Sequence, residues 1–212
     1  MKKTSSANRR RVVVTGLGVV SSLGIGWQAF WKNLLAGKSG ISKITTFDTS
    51  QYDRHYGGEV KNFDPIQFIS RKKAERLGRT SQMAIAASIL ALKDGKLVLK
   101  KKIDRDRMGV FVGTTAGEIQ ILEELNDYKF KSRRKFNSSL MLVYPASSLS
   151  VNVSLEHKFN NRSYVFPTAC ASGNYALGYA FDQIRSSKLD YALAGGADAF
   201  SRIVFTGFGR LY

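Results

Sequence analysis

A single cysteine, Cys170, among 212 residues excludes an internal disulfide framework. The polar, basic start Met1–Arg11 lacks the apolar stretch of a secretory signal, and no apolar run approaches the roughly eighteen residues of a membrane-spanning helix. A reducing cytoplasm is the expected setting, where the N-x-S matches at Asn137, Asn152 and Asn161 are chance. Acidic side chains are scarce: 16 Asp and Glu stand against 33 Lys and Arg, a balance of +17. Such a charge favours encounter with an acidic partner and promotes nonspecific nucleic-acid binding. No helix-turn-helix, zinc or RNA-binding signature accompanies it, so a specific nucleic-acid site and a metal site are not expected. The excess clusters at 71–79, 100–107 and 129–135, although solvated surface is an equally good account of any single Lys or Arg. Internal repeats, low-complexity tracts and dividing linkers are all absent.

With 43% apolar and 23% charged residues, the rest is ordinary globular composition. Short apolar runs at Val12–Thr15, Met108–Gly113, Tyr164–Phe166 and Tyr191–Ala194 read as buried strands. Between them lie helical patterns: Trp27–Leu35 stopped by Gly37, with its aromatics turned to the core, a short helix opened by Pro65, and Ala74–Leu92. Further helices are expected over Glu118–Tyr128, from Pro145 to about His157, and after Cys170 to about Arg185, the last with Ala176, Leu177, Ala180, Phe181 and Ile184 inward. Ser39–Phe63 reads as loops with short extended pieces, Lys96–Arg107 as a charged connector, Phe130–Ser139 as a basic loop and Leu140–Tyr144 as extended. Strands alternating with helices of this length imply a mainly parallel sheet with helices on both faces. GLGVVS, from Gly16, imitates a dinucleotide fingerprint, but no helix begins there and the first acidic residue is Asp48, so it is a decoy. His55 has no partner nucleophile, and His157 fits a helix-end cation or surface residue better than a base.

The stretch with chemical character is Tyr164–Asn174, YVFPTACASGN. Tyr164, Val165 and Phe166 favour a strand, Pro167 ends its pairing, and Ala169, Ala171, Ser172 and Gly173 are small enough for a sharp turn around Cys170. A helix starting there offers unpaired N–H groups and a positive dipole end, which favour the attacking thiolate. A lone cysteine is otherwise most often a small buried apolar residue.

TACASG resembles the active-site signature of the elongating β-ketoacyl-[acyl-carrier-protein] synthases of the thiolase-like family. RRVVVTGLGVVSSLG, LLAGKSGIS, FDTSQY, ISRKKAER, VGTTAGE and LAGGAD follow the same family's order over Arg10–Gly209. The resemblance implies an α/β, thiolase-like fold, of which this chain is one half of a five-layer α/β/α/β/α arrangement with a mainly parallel mixed sheet. Residues 1–9 then form a disordered basic tail, and 10–212 the N-terminal ketosynthase domain, incomplete at its C-terminal end. It implies a decarboxylative Claisen condensation: Cys170 takes an acyl group from a carrier thioester, and malonyl-carrier extends it. The Cys170 N–H is the implied first oxyanion donor. No cofactor is implied, since phosphopantetheine arrives on the carrier. Ala116 matches an apolar gate to the acyl pocket, and its small size leaves room for a longer or bulkier chain; Val143 and Tyr144 match residues lining the acyl tunnel across a dimer interface. Lys72 and Arg76 match the helix that docks an acidic acyl carrier protein, with Glu75 at a commonly basic position, and Arg133 and Arg134 lie near a second docking position.

The sequence departs from the family pattern at Asn161 and Arg162, which replace Gly and Pro, at Gly78, which stands where Asp is common, and at Asp198, which replaces Glu. The family's catalytic histidines, lysine and second oxyanion donor match nothing here, so the chain alone is expected to be inactive in condensation. A non-catalytic remnant that binds a carrier or a partner subunit is the alternative, and a basic nucleic-acid-binding domain a third. Half of a stacked core exposes an apolar face, which implies a homodimer or a paired half.

Overall fold

The computed structural model describes residues 10–97, 103–131 and 137–211; the expected tail over 1–9 lies outside them. Val12–Thr15 is not the buried strand expected. Val14 is 79% exposed, and among the described residues no strand pairs with this segment, which is tethered at its ends by Arg10 on Asp190 and by the Leu17 N–H on Asp94 Oδ2 at 2.8 Å. The chain then folds back through β1 (Val20–Ser21) and β2 (Gly24–Ile25) instead of opening a helix, in keeping with the decoy reading. Helix α1 (Trp27–Leu35) runs as expected to Gly37, whose φ of +65° ends it. It packs mainly on β2, so Trp31, Leu34 and Leu35 stay exposed rather than joining a core; Trp27 is fixed by its Nε1–H on Asp94 Oδ1 at 2.8 Å.

Strands β3 (Ser42–Lys43) and β4 (Tyr56–Gly57) make a second small hairpin. The buried Glu59 carboxylate binds the Thr45 N–H at 2.9 Å and the Thr46 N–H at 2.7 Å, together with both hydroxyls. Burial opposes its charge, but these hydrogen bonds outweigh burial and hold the group below its ordinary range. After a 3₁₀ turn at Pro65–Gln67, the single helix expected from Ala74 is two: α2 (Arg71–Ala74) and α3 (Arg79–Asp94). Gly78 is extended at the break, and α3 takes its cap from elsewhere in the chain: Glu118 accepts the Thr80 and Ser81 N–H groups at 3.1 and 2.7 Å. Burial raises the Glu118 pKa against the pull of those same hydrogen bonds.

Strand β5 (Met108–Gly113) is buried at every residue. Helix α4 (Ile119–Lys131) extends beyond the expected Tyr128. The segment expected to be extended at 140–144 begins instead as a 3₁₀ turn, Ser138–Leu142, because Asn137 Oδ1 accepts from the Ser139 N–H and hydroxyl and closes it. Helix α5 (Ser148–His157), strand β6 (Ser163–Phe166), helix α6 (Ser172–Arg185), strand β7 (Tyr191–Gly196) and helix α7 (Arg202–Gly209) complete the chain.

The main sheet is parallel, in the order β6-β5-β7. Alternation along β5 decides the layers: Val110 and Val112 pack with Ile85, Leu149 and Val153 of α3 and α5, while Phe111 packs with Ala176, Ala180 and Leu189 on the α6 side. Helices on both faces match expectation. Leu177 and Phe181 do not turn inward as expected; α6 buries the Ala176–Ala180 stripe, and its neighbours face solvent.

His157 is no helix-end cation. It is half-buried, stacked on Phe159, with Nε2 2.7 Å from Ser88 Oγ of α3. Burial lowers its pKa from 6.5 to about 4, with Glu156 opposing and Lys73 adding to the shift. A folded pKa below the unfolded value gives stability that is present above pH 6.5 and lost as pH falls through about 4. The full effect is about 3 kcal/mol, and His157→Gln should flatten that part of the pH dependence in urea-unfolding midpoints.

Candidate active site

All three strands of the main sheet end on one side, the carboxyl edge, where parallel α/β sheets hold ligands. β6 ends at Phe166, and Pro167 and Thr168 carry the chain off the sheet. Ala169 then adopts φ +50°, a left-handed conformation that costs a non-glycine residue on the order of 1 kcal/mol. Cys170 follows in a 3₁₀ turn, Ala169–Ala171, closed by the Ala171 N–H on the Thr168 carbonyl at 3.3 Å, and α6 begins at Ser172. The expected strand-to-helix turn is present, with the helix delayed until two residues after the cysteine. Cys170 is a free, exposed thiol and not a buried apolar filler.

The turn sits where it does because β5 ends in glycine. A Cβ on Gly113 would lie 2.5 Å from the Gly173 nitrogen and run into the Ser172 carbonyl, so only glycine lets the first turn of α6 rest on the end of the central strand. Beneath it, Phe111, Tyr164, Phe166 and Tyr179 form a ring cluster joining β5, β6 and α6.

Beyond Gly113 the loop 114–117 carries Ala116, which is half-buried. Gly117, at φ +60°, turns the chain so that its Cβ position lies 3.2 Å from Ala146 Cβ, which brings this loop beside the Val143–Ala146 segment. Val143 and Tyr144 are half-buried there. The structure thus gathers the Cys170 turn and the Ala116 loop at one sheet edge, with the Val143–Tyr144 segment alongside.

Lys72 on α2 and Arg76 in the turn after it are exposed, as is Glu75. Arg133 and Arg134 lie outside the described residues. Asn137, just after them, donates its Nδ2–H to the Glu75 carbonyl, between Lys72 and Arg76, at 3.4 Å. His55 bonds Thr49 Oγ1 through Nδ1 at 3.1 Å, a contact that fixes its loop. Neither histidine belongs to the loops at the carboxyl edge. Among the described residues no group of His, Cys, Asp and Glu is arranged to hold a metal.

Two residues that the sequence reading did not place in the site shape it: Glu118, which caps α3, and Asp198, which binds the Ala116 loop. The signal for the first was available in Gly78, since a Cβ there would strike the Glu118 carboxylate; the missing side chain at 78 and the acid at 118 belong together. Gly113→Ala should destabilise the fold by on the order of 3 kcal/mol through overpacking and slow Cys170 alkylation by displacing α6. Gly178→Ala, with open space around it in the same helix, should instead stabilise by about 0.5–1 kcal/mol. Urea midpoints and thiol-alkylation rates read both.

Comparison with known proteins agrees with this geometry. Residues 9–211 match the family described as Beta-ketoacyl synthase, N-terminal domain. The 3-oxoacyl-[acyl-carrier-protein] synthase 2 of Synechocystis sp. is 36% identical over 209 residues, covering 96% of this chain and 49% of that protein. That of Staphylococcus aureus (strain COL) is 34% identical, covering 95% and 49%. This chain therefore spans about half the length of the curated relatives it matches. Among solved structures, the ishigamide ketosynthase/chain length factor superposes with a TM-score of 0.86 at 36% identity, over 96% of this chain and 51% of that one. A type II PKS acyl-carrier protein in complex with its ketosynthase bound to the hexaketide gives 0.78 at 29%, over 96% and 49%. The sheet, the Cys170 turn and the order of motifs thus have one common source: the chain belongs to the beta-ketoacyl synthase family and corresponds to its N-terminal domain.

Proposed function

We propose that this chain provides the acyl-accepting cysteine of a β-ketoacyl-[acyl-carrier-protein] synthase acting in fatty-acid or polyketide-type chain elongation. The observation that carries the reading is the exposed Cys170 thiol on a strained turn at the carboxyl edge of a parallel sheet. The Cys170 thiolate attacks the carbonyl carbon of an acyl thioester, the bond to the phosphopantetheine sulfur breaks, and the carrier thiolate leaves and takes up a proton. The acyl group then rests on Cys170. In the second stage malonyl-carrier releases carbon dioxide, its carbanion attacks the acyl carbonyl, and the cysteine thiolate is restored as the β-ketoacyl thioester departs. The Cys170 N–H serves the oxyanion of each transfer. Decarboxylation needs histidine and lysine groups, and among the described residues neither His55 nor His157 belongs to the loops beside Cys170, so these residues by themselves acylate slowly and do not condense.

Lys72 and Arg76 present positive charge to an acidic acyl carrier protein, and the +17 balance speeds that encounter. Ala116, Val143 and Tyr144 border the acyl chain. No cofactor of the chain's own enters the chemistry. Pairing, with a second copy or a complementary half, is supported by the β6–α6 surface, where Tyr164, Tyr175, Leu177 and Phe181 are exposed beside the unpaired edge of β6. A reducing cytoplasm suits a chain whose one cysteine must stay a thiol, and among the described residues no helix is long and apolar enough to cross a membrane.

Intact-mass spectrometry after incubation with acyl-carrier protein, with and without cerulenin, tests the reading on the wild-type chain and on Cys170→Ser. The expected result is an acyl adduct and a cerulenin adduct, both lost in the variant. Folded protein that takes up neither would favour a binding remnant instead.

A further inference from the structure

The loop 114–118 is fastened more heavily than a strand-to-helix connection requires. From the turn after β7, the Asp198 carboxylate accepts the Thr114 hydroxyl at 2.8 Å, the Thr115 N–H at 2.9 Å and the Ala116 N–H at 3.0 Å. Thr114 Oγ1 in turn accepts the Gly117 N–H at 2.8 Å. On the opposite side Thr80 Oγ1 of α3 donates to the Gly117 carbonyl at 2.8 Å, and Glu118 holds the Thr80 and Ser81 N–H groups. The two fastenings differ in what they fix. Glu118 and Thr80 tie the far end of the loop to α3, whereas Asp198 holds the amides of Thr115 and Ala116 themselves. Successive N–H groups converging on one carboxylate form an anion nest, so the position of that carboxylate dictates the position of Ala116.

We infer that Asp198 is a positioning residue which sets the width of the acyl entrance by fixing Ala116 beside the Cys170 turn. For what enters the site the inference rests on the function proposed above; the hold on the loop does not. Ala116 projects only a methyl group, so the entrance depends on where its backbone stands rather than on side-chain bulk. Gly113, three residues earlier, already lies against Ser172 under the Cys170 turn, which leaves Asp198 to fix the remainder of the path between the strand end and Ala116. An asparagine at 198 removes the negative charge on which both amides converge and turns an NH₂ group toward the Thr115 N–H that Oδ2 accepts at 3.0 Å, and it therefore weakens the hold on Thr115 and Ala116 without altering the size of the side chain.

The test uses the exposed Cys170 thiol, which reacts with maleimides whether or not the chain accepts acyl thioesters. Rates of Cys170 modification by N-ethylmaleimide and N-octylmaleimide are measured by intact mass on the full chain, its Asp198→Asn variant and its Asp198→Glu variant. Amide hydrogen exchange of the segment containing Thr115 and Ala116 is followed in parallel. In Asp198→Asn the octyl-to-ethyl rate ratio should change about five-fold, the equivalent of about 1 kcal/mol in barrier difference. The ethyl rate should stay within about two-fold, and exchange in the loop should quicken by about ten-fold as its hydrogen bonds weaken. Asp198→Glu, which keeps the carboxylate, should retain the wild-type ratio. Faster exchange with an unchanged ratio would make Asp198 a loop fastener with no part in selection and would overturn the inference, as would unchanged exchange. If Asp198→Asn fails to fold, Thr114→Val, which removes the hydroxyl between Asp198 and Gly117, should shift the ratio in the same direction, and an unshifted ratio there counts against the inference equally. A shifted maleimide ratio in a chain that accepts no acyl group from the carrier would sink the proposed function and leave the role of Asp198 standing.

Discussion

The structure depends on the burial of one strand. β5 is covered along its whole length, by α3 and α5 on one face and α6 on the other, with β6 and β7 at its edges. Each chemically interesting feature is placed by reference to its last residue: α6 rests on Gly113, the Ala116 loop starts after it, and the Ala197 N–H beside Asp198 bonds the Gly113 carbonyl at 2.9 Å. A fully buried strand has little freedom to shift, because a slip of one residue would exchange the Val110/Val112 face for the Phe111 face. The reactive edge inherits that rigidity. Backbone strain at Ala169 is tolerable on such a support, where the cost of about 1 kcal/mol is small beside the burial that holds it.

The scarce acids explain the charge of the surface. Glu59, Asp94, Glu118 and Asp198 each accept backbone N–H groups within the fold, and Asp190 is engaged by Arg107 and Arg10. Apart from Asp190 and from Glu59, which also lies 3.8 Å from Lys61 Nζ, these carboxylates are turned to loops and helix starts rather than to the lysines and arginines outside. The positive exterior thus follows both from the number of basic residues and from where the acids are used. Asp190 shows the local effect, since its two guanidinium partners bring its pKa down to about 2.

Much of this was legible beforehand, and the failures share a cause. Met108–Gly113, Trp27–Leu35 and the Cys170 turn carry local signals, namely continuous apolar residues, helical spacing with a glycine stop, and small residues around a cysteine. Val12–Thr15 reads as a strand for the same local reason, yet a strand exists only with a neighbour to pair, and none pairs with it among the described residues. The break at Glu75–Gly78 and the burial of His157 likewise depend on contacts with remote residues, Glu118 in one case and Ser88 in the other. The missed helix α7 is held by the Val204 N–H on the Ser201 hydroxyl oxygen at 3.2 Å and by the Ile203 N–H on Glu123 of α4 at 2.6 Å; the second contact has no trace in local periodicity. Of the departures from the family pattern, Gly78 proved informative, because the space left by its missing side chain is where the Glu118 carboxylate lies.

The register of the central strand also bears on how the molecule is made. Val110 pairs with Ser163, and Met108 with Tyr191, so the first strand of the main sheet to leave a ribosome waits for its partners until most of the chain has followed. Throughout that interval the apolar run MGVFVG has neither edge satisfied, and parallel pairings across such long loops form slowly. Nascent chains of this protein therefore pass through a stage at which a naked, highly apolar strand invites the wrong neighbour, and helix α5, which covers one face of β5 in the finished fold and is made before either edge strand, is its natural temporary cover.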